Sequence, residues 1–114
     1  MNKMIIAAML LFVASPALAD SLGGNLIAAC NTKPKSEDHA LCVAYLLGYM
    51  DGVVVEQFDQ EHGTPICISP ITTEAEIREA VIGYSKTHSA VLYFRTRDFV
   101  AAALLETYPC KNSN

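Results

Sequence analysis

Reactive side chains are few in this chain: four cysteines (Cys30, Cys42, Cys67, Cys110), three histidines (His39, His62, His88) and a knot of carboxylates, Glu56, Asp59 and Glu61. They would serve three chemistries: a thiol nucleophile with a histidine base, a thiolate zinc site, or a carboxylate acid–base pair. The gaps of 11, 24 and 42 residues between successive cysteines hold no C-x-x-C or C-x-x-x-x-C pair, which speaks against zinc. The histidines are widely spaced and fall near expected helix ends, where a solvated or capping role is ordinary. No H-E-x-x-H, G-x-S-x-G or glycine-rich phosphate loop occurs, and carboxylates grouped at a helix end read as a solvated face. The expectation is a protein without catalytic residues, metal or cofactor.

The first nineteen residues tell how the thiols are used. Lys3 supplies a positive start, Met4 to Val13 an apolar run, and Ala17-Leu18-Ala19 a cleavage site before Asp20, the pattern of a secretory signal. The expected organisation is a signal peptide over 1–19 and one soluble exported domain over 20–114. The apolar run is too short to span a bilayer, and no second span of roughly twenty residues is expected downstream. In an oxidising compartment four cysteines form two disulfides, which removes the free thiol a Cys-His hydrolase needs. Three pairings are open. Cys30 with Cys42 and Cys67 with Cys110 is favoured, the first tying a short helix to the start of the next, the second clamping the C-terminus to a central loop. Ile27-Ala28-Ala29-Cys30 looks like a lipid-attachment signal, but Pro16, Asp20, Gly23, Gly24 and Asn25 separate it from the apolar run, and lipidation would strand an odd thiol.

The formal net charge of −4 becomes about −5 once Lys3 leaves with the signal. That excludes nucleic acid and anionic membrane as natural partners. A basic protein partner is permitted.

Helices are expected throughout. A short one covers Leu22 to Cys30; a Lys33-Pro34-Lys35 break follows; Ser36 then caps a long helix with Glu37 and Asp38 in its first turn, running to about Gln60. Between Ala40 and Val55 its only charged residue is Asp51. A helix apolar all round must be covered all round, so it is either wrapped by the others or partly covered in a dimer. Gly48 and Gly52, at i and i+4, read as a helix-packing strip, and Asp51 as a semi-buried carboxylate. Thr73-Glu74-Ala75-Glu76 is a capping box opening a helix to about Thr87, with Ile77, Ala80, Val81 and Tyr84 inward and Glu76, Arg78, Glu79 and Lys86 facing water. Ser89 to Phe94 is ambiguous. Arg97 or Asp98 opens the last helix, which carries Phe99, Ala102 and Ala103 until Pro109 stops it. The fold class is all-α, a small bundle of about four helices around a long central helix, stapled by two disulfides.

Taken with the cysteines, Cys42-x-Ala44-Tyr45-x-x-Gly48-x-x-Asp51, Ile66-Cys67-Ile68 and Tyr108-Pro109-Cys110 resemble the Rap/Tai family of periplasmic immunity proteins, found in bacteria that use type VI secretion. Tyr84 to His88 matches a helix end that the family usually follows with histidine and proline. Ala44 stands where a glycine is usual, Ser69 intervenes before Pro70, and Ser89 occupies the usual proline position. The resemblance implies an all-helical fold with two disulfides, often a homodimer, that binds and blocks a peptidoglycan-cleaving amidase delivered by neighbouring cells.

An inhibitor of that kind works by steric occlusion, a loop on a rigid scaffold entering the enzyme's cleft. Hot spots favour tyrosine and arginine, and functional side chains concentrate on loops. Tyr93, Arg95 and Arg97, with His88 and Ser89, are the candidate partner-binding residues, because they lie in the one segment without clear helical periodicity. A different class, a small acid-activated periplasmic chaperone exposing its apolar surface around Met50 and Val54, is the alternative. Such chaperones are similarly small, exported and helical but lack this four-cysteine framework.

Overall fold

The computed structural model describes residues 21–59 and 63–111; the signal-sequence expectation for 1–19 lies outside them. Four α-helices follow in order: α1 Gly23–Cys30, α2 Glu37–Gln57, α3 Glu74–Thr87 and α4 Thr96–Thr107, with a 3-10 helix Ser89–Tyr93 between α3 and α4. No strand is present among the described residues, only two isolated antiparallel bridges, Leu22 to Arg95 and Ile66 to Pro109.

Each boundary follows from local chemistry. Ser36 Oγ accepts from the His39 amide at 3.1 Å and starts α2, with Glu37 and Asp38 in the first turn. Thr73 accepts from the Glu76 amide while Glu76 reaches back to the Thr73 amide, so the capping box is formed. Thr96, not Arg97 or Asp98, opens α4, with Arg95 at its cap position. The reason lies off the helix: Thr96 is fully buried, its amide donates to the Ser21 carbonyl at 2.9 Å and its Oγ1 to the same carbonyl at 2.8 Å.

Leu26 of α1, Leu46 of α2, Ile77 and Val81 of α3, and Phe99, Val100, Ala103 and Leu104 of α4 are fully buried and form the core with Cys30 and Cys42. Gly23 sits where a Cβ would lie 2.7 Å from the Val91 carbonyl and 2.8 Å from the Phe99 ring, so α1 enters the core only because that position has no side chain.

Two disulfides close the structure, Cys30–Cys42 with Cα atoms 5.1 Å apart and Cys67–Cys110 with Cα atoms 4.8 Å apart. The second is flanked by a short ladder: the Cys67 amide donates to the Tyr108 carbonyl and the Cys110 amide to the Pro65 carbonyl, both at 2.8 Å. Gln57 fixes the same loop to α2, accepting from the Ile68 amide at 2.9 Å and donating to its carbonyl at 3.2 Å.

Several expectations are corrected. Of the two expected ways of covering α2, wrapping by the other helices is not met: Cys42, Leu46 and Val53 are buried, but Leu41, Leu47 and Val55 are exposed, because α1 and α3 pack along one side only. By length and mean hydropathy, 1.3 over its most apolar stretch, α2 is also sufficient to cross a membrane, a span the sequence reading did not count. Asp51 is exposed rather than semi-buried. Arg78 does not simply face water; its Nη1 donates to His39 Nε2 at 2.9 Å and lies 3.4 Å from Glu74, clasping the starts of α2 and α3.

Candidate functional site

The end of the segment between α3 and α4 is tied to the start of α1 by backbone hydrogen bonds, with the Thr96 hydroxyl adding to them. The Gly23 amide donates to the Phe94 carbonyl at 2.7 Å, the Thr96 amide to the Ser21 carbonyl, and Leu22 bridges Arg95. Val91 faces inward and is buried. Its neighbours then point outward: Tyr93 is 80% exposed and Phe94 46%, so neither is a core residue. Arg95 is exposed, and Arg97 is exposed with its Nε 3.8 Å from Asp98 Oδ1. A pinned backbone displaying a tyrosine and two arginines loses little conformational freedom when it binds.

His88 and Ser89 stand at the other end of this segment and are also exposed. His88 is engaged locally: it caps α3, stacks on Tyr84 at 4.0 Å and 10°, and holds Nδ1 2.9 Å from Thr87 Oγ1. Its ring orders the entry to the segment. Tyr84 in turn lies 6.5 Å from the Phe99 ring, so the stack reaches the core.

Arg97 also belongs to a feature the sequence reading did not anticipate. A groove of about 430 Å³ lies between α2 and α4, lined by Gly48, Tyr49, Gly52, Val53 and Glu56 on one wall and Arg97, Asp98 and Ala101 on the other. Gly48 and Gly52 are therefore not a packing strip. A Cβ built on either meets nothing within 4 Å. The i, i+4 spacing is compatible with both arrangements, which is why it misled.

Two tyrosines carry the electrostatics here, Tyr49 in the groove wall and Tyr45 one turn before it on α2. Burial, then the carboxylates of Glu56 and Asp98, raises the Tyr49 phenol above its usual range. Burial and the neighbouring Tyr49 push Tyr45 up to about 12, with Arg97 pulling the other way and Asp98 adding to the rise. Both phenols stay protonated donors at any physiological pH. Among the described residues no three histidines, cysteines or carboxylates converge as a metal site, and all four cysteines are disulfide-bonded.

Residues 22–110, which contain both disulfides, the pinned segment and the groove, match the family model described as Rap1a immunity proteins. The chain belongs to the Rap1a immunity protein family. No curated protein and no solved structure significantly matches it. The Rap1a match spans every helix among the described residues and all four cysteines.

Proposed function

We propose that this Rap1a protein is exported by its first nineteen residues and acts in the periplasm as the immunity partner of a peptidoglycan-cleaving amidase delivered by type VI secretion. It binds the toxin and occludes its cleft sterically, with Tyr93, Arg95 and Arg97 as the inserted side chains and His88 and Ser89 shaping the approach. The observation that carries this reading is the exposure of Tyr93 and its neighbouring arginines on a backbone tied to the start of α1. Two disulfides and no free cysteine among the described residues support an oxidising compartment. The exposed apolar side of α2, with Leu41, Leu47 and Val55, supports a homodimer that covers it.

The test is protection. An amidase encoded beside this gene, directed to the periplasm of a test bacterium, should lyse cells that lack the chain and spare cells that export it. Equal lysis in both would remove the immunity reading for that pair.

A further inference from the structure

α4 packs on α1 and α3, and α2 packs on the same two helices, but α2 and α4 stand apart and leave the groove between them. We propose that this groove is a second contact surface, which receives a lysine or arginine side chain of the protein partner while the adjoining partner backbone lies over Gly48 and Gly52. The inference rests on the immunity reading only in taking the occupant to be another protein.

Three observations lead there. First, the volume of about 430 Å³ falls within the range of sites that hold small ligands, roughly 300–1,000 Å³, and suits one long side chain with its backbone. Second, the floor is bare. Glycine inside a helix weakens it relative to alanine, yet neither Gly48 nor Gly52 is needed for packing within the chain, where a Cβ would meet nothing. Gly83 is equally open but stands alone on α3, outside the groove.

Third, the walls select the charge. Glu56 on α2 and Asp98 on α4 stand on opposite sides, against the single cation Arg97. Both carboxylates line the groove with Tyr49, so its walls carry two negative charges to one positive. Arg97 leans toward Asp98 at 3.8 Å with its side chain 62% exposed, leaving Glu56 for an incoming cation. Tyr49 also lines the groove, and an aromatic ring favours a nearby ammonium or guanidinium group. An acidic segment entering the same groove would meet two carboxylates.

The experiment uses the oxidised, isotope-labelled protein at neutral pH and two blocked tripeptides, acetyl-Gly-Arg-Gly-amide and acetyl-Gly-Glu-Gly-amide. Saturable amide shifts at Gly48, Gly52 and Asp98 with the arginine peptide alone are expected. The double variant Glu56→Gln/Asp98→Asn should weaken that response roughly tenfold, about the contribution of one charge-assisted hydrogen bond. Gly48→Leu should abolish it without lowering the melting temperature, since the new side chain fills the groove. Shifts scattered over the surface, or an equal response to the glutamate peptide, would overturn the proposal. So would a dimer that Gly48→Leu dissociates, because the occupant would then be a second copy. Arginine-peptide binding without inhibition of any amidase would leave the groove standing and the immunity reading fallen; inhibition without peptide binding would remove the groove alone.

Discussion

At Thr73 a single hydroxyl fixes where α3 begins, accepting from the Glu76 amide at 3.2 Å while Glu76 Oε2 accepts from the Thr73 amide at 3.4 Å. Thr73→Ala should lower stability by about 1 kcal/mol, seen as a lower urea midpoint with an unchanged slope. Gly48→Ala should act in the opposite direction, raising stability by about 1 kcal/mol, because it improves helix propensity at an open position. Tyr45 gives a pH dependence with a definite sign. Its phenol ionises near 10 unfolded and at about 12 folded, so between those values the folded state holds more protons. Its contribution to stability is complete below pH 10 and is lost as pH rises towards 12. Absorbance at 295 nm should show several tyrosines titrating late, with the step furthest above 10 lost in Tyr45→Phe. Thr73 and the cysteines were legible because capping and disulfide chemistry are local. Gly48 and Gly52 were not, because an i, i+4 glycine pair reads the same whether it faces a packed helix or an open groove.

The elements depend on a few ties between distant parts of the sequence. Cys30–Cys42 closes 12 residues and Cys67–Cys110 closes 43. On the loop-entropy account these stabilise by roughly 3 and 4 kcal/mol, so paired serine substitution at Cys67 and Cys110 should cost more than the same change at Cys30 and Cys42, measured by chemical denaturation. Of the three pairings the sequence left open, the one favoured from where the helices were expected to end is the one formed. Gln57 was not: its amide imitates a strand neighbour for Ile68, and a lone glutamine carries no periodic signal. The segment Ser89–Tyr93 likewise escaped a clear reading, since a short 3-10 turn offers one buried residue, Val91, and no repeat. Its exit, Phe94 to Thr96, is tied to Ser21, Leu22 and Gly23, more than seventy residues away along the chain.

For the molecule as a whole, α2 is the informative element. Its apolar composition announced that something must cover it, and the chain itself covers only one side. If a homodimer supplies the rest, Leu47→Glu/Val55→Glu should yield a folded monomer by sedimentation where the parent protein is a dimer. A chaperone would use the same face differently, suppressing aggregation of unrelated proteins near pH 2 to 3, whereas an inhibitor binds one partner near neutrality. The most direct measurement is therefore amidase inhibition in vitro. Purified peptidoglycan, an amidase encoded beside this gene and the oxidised chain should show loss of cleavage at one inhibitor per enzyme. Tyr93→Ala/Arg95→Ala should weaken that inhibition at least tenfold, as loss of hot-spot side chains does, with an unchanged melting temperature. A folded double variant that inhibits as well as the parent would contradict the central claim that this pinned segment blocks the toxin.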